Sequence, residues 1–132
     1  MLAREKEKID FVKIKPTDID KEETNLIKLR THNIIGKIQN GEYGDFSNNN
    51  IDISHQKDIH KQIENKFGVY KSLRFESLFK SKKGNPIINK IYLFKGDFAF
   101  KKDIEIRVVL NDKKEIIRLN IMSWEKEYFN YL

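Results

Sequence analysis

The chain has 132 residues, 39% of them hydrophobic and 35% charged, with a formal net charge of +6. That balance is too apolar and too aromatic (11%) for a disordered chain, and too charged for a membrane span. It has no cysteine, which excludes disulfides, thiolate metal sites and cysteine nucleophiles.

The first stretch, 1–15, in which Ile9, Phe11, Val12 and Ile14 sit among lysines, reads as a poorly ordered charged lead-in that settles near Phe11, with an extra helix turn, an edge strand or a tether as the alternatives. It contains no apolar core of signal-peptide length. A single α+β domain is expected over 16–132. Thr17-Asp18-Ile19-Asp20 opens a helix predicted over 19–39, with Asp18 as N-cap and Glu22 and Glu23 at the positive end of the dipole. At 100° per residue Ile19, Leu26, Ile27, Leu29, Ile34 and Ile38 share about half the circumference, which predicts one buried face. Asn40-Gly41 supplies a left-handed stop. Residues 41–53 read as a loop or a short irregular helix pinned by Tyr43, Phe46, Ile51 and Ile53. Ser54 caps a second helix whose Ile59, Ile63 and Phe67 recur at i, i+4 and i+8, and Gly68 ends it.

From Val69 onward the period falls from 3.6 to 2. Val69, Leu73, Phe75 and Phe79 mark a first strand, and Ser81-Lys82-Lys83-Gly84-Asn85-Pro86 is a turn by composition. A second strand follows from Ile87 to about Phe100, bent or bulged at Gly96-Asp97. Ile104, Ile106, Val108 and Leu110 form a third, Asn111-Asp112-Lys113-Lys114 a hairpin turn, and Glu115 to Trp124 a fourth. The tail from Glu125 carries four apolar or aromatic residues, as expected of a segment that docks. Two helices followed by an antiparallel meander indicate an α+β fold: N-terminal helices packed on a curved four-stranded antiparallel sheet.

Charge is uneven along this order. Residues 1–66 hold 12 basic and 12 acidic side chains, and residues 67–132 hold 14 and 8, so the whole surplus lies in the sheet half. Lys80, Lys82, Lys83, Lys101 and Lys102 form a candidate basic patch. Lysine, isoleucine and asparagine together fill 52 positions, and their A/T-rich codons explain the abundance of lysine without a partner. With only five arginines for bidentate phosphate contacts, nucleic-acid binding is disfavoured. The run Tyr92, Phe94, Phe98 and Phe100 interleaves with lysines, a pattern that stacks single-stranded nucleic acid, but a domain this small needs those rings in its core.

The helix end Ile38-Gln39-Asn40-Gly41-Glu42-Tyr43, the junction Phe67-Gly68-Val69-Tyr70-Lys71-Ser72 and the run Tyr92-Leu93-Phe94-Lys95-Gly96-Asp97-Phe98 resemble the cystatin-like fold. The strand pair 105–110 and 112–117 is similar too. The likeness is closest to small bacterial members of the nuclear transport factor two-like superfamily, and it spans roughly Thr17 to Trp124. It implies a sheet that closes on the helices to leave a cone, with a pocket at the open end that is an active site in some members and a ligand site in others. It also favours an exported or lipoprotein-derived domain over a cytoplasmic one. Fold does not choose among these outcomes.

Candidate pocket-lining residues are Tyr70, Tyr92 and Trp124. His32, His55 and His60 have no metal-ligand spacing, no phosphate loop or nucleophile elbow is present, and Glu76, Asp97 and Glu105 fall at outward positions or bends. No catalytic residue, metal or cofactor is therefore nominated. The expected function is non-enzymatic binding of a small ligand or a protein, with homodimerisation through the sheet. The alternatives are an isomerase or dehydratase in the cone and a single-stranded nucleic-acid binder.

Overall fold

The computed structural model describes residues 9–44 and 51–122. Helix α1 (Lys21–Gln39) begins two residues later than predicted. Pro16–Asp18 forms a 3-10 turn, and Asp20 takes the N-cap place assigned to Asp18, accepting from the backbone N–H of Glu22 and Glu23 at 3.0 and 3.1 Å. At the other end Glu42 N–H bonds Lys37 C=O and Gly41 N–H bonds Ile38 C=O. This double closure needs the left-handed φ of +78° that Gly41 supplies.

The buried stripe of α1 is not the one that counting apolar residues predicts. Glu23, Thr24, Ile27, Thr31, Ile34, Ile35 and Ile38 are buried, whereas Leu26 and Leu29 stand 46% and 56% exposed. Thr31 is tolerated in the core because its hydroxyl donates to Ile27 C=O at 2.7 Å. Ile35, off the predicted stripe, is fully buried.

Helix α2 (Ile53–Gln62) starts at an Asp52 N-cap rather than at Ser54, and runs into one turn of π-helix (Ile63–Phe67). That turn keeps Ile59, Ile63 and Phe67 on the core. His55 Nε2–H donates to Leu119 C=O at 2.6 Å and fastens α2 to the far edge of the sheet.

The sheet has five strands, not four. In order they are β1 (Phe11–Lys13), β2 (Tyr70–Ser81), β3 (Lys90–Phe98), β4 (Ile104–Leu110) and β5 (Ile116–Met122), all antiparallel neighbours. The extra strand comes from the expected lead-in: Phe11, Val12 and Lys13 pair with Ser81, Lys80 and Phe79. Three residues are too few to show a period of 2, so only tertiary pairing defines β1.

Extra residues lie on β2, at Lys71 and Glu76, and not at Gly96-Asp97. Each bulge resets the alternation. Tyr70, Leu73 and Leu78 reach the helix-covered core, while Phe79 turns to the other face. Gly96 instead sits in regular register between Leu73 and Ile104, where a Cβ would lie 2.5 Å from Ile106 Cδ1. The main core joins Ile27, Ile34, Ile35, Ile38, Ile59, Ile63 and Phe67 to the inward phases of β2–β5. A smaller apolar cluster of Ile91, Leu93 and Val109, packed by Phe11, Phe79, Ile88 and Ile117, occupies the opposite face.

Candidate functional site

Three places in the described residues gather polar side chains. The first centres on Glu23, in the opening turn of α1 and on the same stripe as Ile27. Its Oε1 accepts from Tyr92 Oη at 2.5 Å and from Lys90 Nζ at 2.8 Å, and Lys114 Nζ lies 3.1 Å from Oε2. Burial pushes the carboxyl up, but the bonds from Lys90, Tyr92 and Lys114 together outweigh it and hold the acid down at about 2. Burial, reinforced by the bond to Glu23, pushes the Tyr92 hydroxyl well above its ordinary value. The result is an acid that is ionised at neutral pH, with both oxygens occupied. General acid–base work needs a group that titrates near the working pH and can reach a substrate, and Glu23 does neither.

The second constellation joins the α1–α2 connection to α2. The Tyr43 hydroxyl and His60 Nδ1 share a hydrogen bond, and His60 Nε2 lies 3.2 Å from Glu64 Oε2. Beside it the fully buried Gln56 side chain accepts from Gly44 N–H and donates to Gly44 and Ile51 C=O at 2.8–3.1 Å. An amide offers one acceptor and two donor hydrogens, so Gln56 satisfies three backbone groups at the two ends of the connection.

The third is a groove between α1 and β2, of about 380 Å³ and open to solvent, lined by Asn25, Lys28, Leu29 and His32 from the helix and Ser72 and Leu73 from the strand. α1 places these four side chains on one flank because positions 25, 28, 29 and 32 are neighbours at i, i+3, i+4 and i+7. Leu73 is its buried apolar floor and Leu29 its rim. His32 Nδ1 shares a hydrogen bond of 2.8 Å with Tyr70 Oη, and burial pushes the Tyr70 hydroxyl well above its usual range. No described residue pairs with Lys28.

The chain matches no protein-family model, no curated protein and no solved structure.

The predicted site residues are therefore placed by geometry alone. Tyr70 and Tyr92 do not meet in one pocket. Tyr70 is at the groove through His32, while Tyr92 is fully buried and committed to Glu23. Trp124 lies outside the described residues. The basic residues do not form one footprint: Lys80, Lys82 and Lys83 are at the β2–β3 end of the sheet, and Lys101 and Lys102 are at the β3–β4 end. The nine residues of β3 separate the two groups, roughly 25–30 Å at strand rise. Tyr92, Phe94 and Phe98 are core residues, and only Phe100, 70% exposed, leaves the run.

Sequence reading missed the buried acid. The available signal was its spacing: Glu23, Ile27, Thr31, Ile34 and Ile38 form one helical stripe, with Glu23 as its first member. Among the described residues no helix is long and apolar enough to cross a membrane, and no cluster of three or more histidines and acids is arranged to hold a metal ion.

Proposed function

We propose that this chain is a non-enzymatic binding domain that holds its partner in the groove between α1 and β2. The observation that carries the reading is the contrast between this groove and the Glu23 cluster. The groove is open, with an apolar floor and, at its rim, a Lys28 ammonium that pairs with no described residue and a His32 ring bonded through Nδ1 to Tyr70, while both oxygens of the buried acid are occupied. Ligand sites are built in that way, from apolar walls and a few convergent polar groups. Lys28 and His32 select a carboxylate or other anionic group, and Leu29 and Leu73 accept an apolar stem. The low carboxyl pKa of Glu23 argues against an isomerase-type base, and the separation of the two lysine groups argues against a continuous nucleic-acid track.

The nuclear transport factor two-like assignment belongs to the same proposal. Two helices on one face of an antiparallel meander support it. The groove, rather than the side-chain-filled centre of the sheet, then takes the place of the cone pocket.

The test is a titration of isotope-labelled protein with hexanoate, a carboxylate on a short apolar stem. His32, Ser72 and Leu73 resonances are expected to shift at millimolar ligand, and Lys28→Glu is expected to abolish the shift. Unmoved groove resonances, or shifts that persist in the variant, refute the reading.

A further inference from the structure

The groove borders a stretch of sheet edge that no strand among the described residues covers. β1 covers only Phe79, Lys80 and Ser81 of β2, and Ile14 N–H adds one bond to Leu78 C=O before the chain departs toward α1. At the opposite limit, Tyr70 N–H donates to Gln39 Oε1 at 2.8 Å, so a helix side chain stands where a neighbouring strand would be. Between these two contacts no described residue outside β3 hydrogen-bonds the β2 backbone. The bulges at Lys71 and Glu76 bound the stretch that can pair regularly, leaving residues 72–75. Ser72 and Leu73, which line the groove, lie in that stretch.

We infer that the partner held in the groove is an extended acidic peptide that adds a short strand to residues 72–75 of β2. This rests on the binding reading above and names its ligand class. An open edge offers alternate N–H and C=O groups, which only another extended backbone matches in spacing. Side chains of an added strand alternate between the two faces of the sheet. Those on the helix side meet Leu29, Lys28 and His32, and those on the other side lie along Ser72 and Arg74. Lys28 and Lys71 have no partner among the described residues, and Glu76 is the one acid of β2, so the charge beside the edge favours carboxylates. Arg74 is already engaged by Asp97 and Asp103. The bulges and charges also keep the free edge from pairing indiscriminately with other sheets, which leaves a short slot that selects by side chain.

The test is selection of random linear dodecapeptides displayed on phage against the whole chain, followed by synthesis of the enriched sequence and of its backbone N-methylated forms. Enriched peptides are expected to alternate acidic and apolar residues and to lose binding to Lys28→Glu and Leu29→Asp. N-methylation at one alternate set of amides is expected to weaken binding roughly tenfold or more, and at the other set to leave it nearly unchanged, since an edge strand uses only every second amide. Equal tolerance of both sets overturns strand addition while leaving the groove reading intact. So does failure to enrich any peptide when hexanoate still shifts the groove resonances. Peptides that bind both variants as well as the wild type overturn the inference by placing binding elsewhere. No enriched peptide together with an unmoved groove in the hexanoate titration ends both readings.

Discussion

Tyr92 donates its hydroxyl hydrogen to Glu23 across 2.5 Å, joining β3 to the first turn of α1. The pair is buried, with Glu23 7% exposed and Tyr92 fully covered, and Lys90 shares the same carboxylate oxygen. The bond orients the N-terminal end of α1 over the sheet, so it sets where the groove on the helix's flank begins.

Substitutions at Glu23 are expected to separate the charge from the hydrogen bond. Glu23→Gln keeps an acceptor for Tyr92 but removes the charge facing Lys90 and Lys114, and is expected to cost about 1.5–3 kcal/mol. Lys114 is mostly exposed and rehydrates, which keeps the loss below that of a fully buried pair. Glu23→Ala also strands the Tyr92 hydroxyl, adding about 1–3 kcal/mol. Urea denaturation of the two variants gives the ranking, and equal stabilities of the Gln and Ala forms would show that Tyr92 has found another acceptor.

Acid titration gives an independent check. The Glu23 pKa is about 2 in the folded chain and about 4.3 for an unfolded glutamate. Because the folded value is the lower one, the unfolded state binds more protons between them. The stabilisation is present above the unfolded pKa and is lost as pH falls through the folded value. The stability difference between wild type and Glu23→Gln should therefore narrow as pH falls from about 4.5 towards 2. A difference independent of pH over that window would be incompatible with a depressed Glu23.

Much of the meander was legible before any tertiary information. The third strand, the Asn111-Asp112-Lys113-Lys114 turn and the Asn40-Gly41 helix stop all follow from short-range chemistry, since alternation and left-handed turns are written in adjacent residues. The Glu23 cluster was not, because Lys90 and Tyr92 are 67 and 69 positions away and neither spacing carries a local signal. The phase of β2 was hidden for a related reason. A bulge looks like one more residue in an alternating run until the partner strand shows which residue is unpaired. The groove is half legible: the sequence nominates Tyr70, but its companion His32, 38 positions away, carries no local signal beyond its lack of metal-ligand spacing.

Gly68 should resist any substitution. Its φ of +82° and ψ of −174° lie in a region populated almost only by glycine, and a Cβ would stand 2.8 Å from Phe100 Cγ and 3.0 Å from Phe100 N. The backbone conformation alone is worth about 1–3 kcal/mol against alanine. Removing the ring in a Gly68→Ala/Phe100→Ala double variant should recover only part of the loss, since the φ and the Phe100 N contact remain. Full recovery of the thermal midpoint in the double variant would assign the whole effect to the ring.

Gln56 closes the connection between α1 and α2 from beneath, and its loss should be read at single amides. Gln56→Leu preserves bulk but removes the side-chain bonds to Gly44 N–H, Gly44 C=O and Ile51 C=O. A polar group that loses its bond away from water costs about 1–3 kcal/mol, so the backbone at Gly44 is expected to open locally to water. Hydrogen exchange at Gly44 N–H should then accelerate strongly while the Ile106 and Val108 amides of β4 hardly change. Equal acceleration in β4 would mean that Gln56 supports the whole fold, and unchanged Gly44 exchange would mean that its side chain holds nothing.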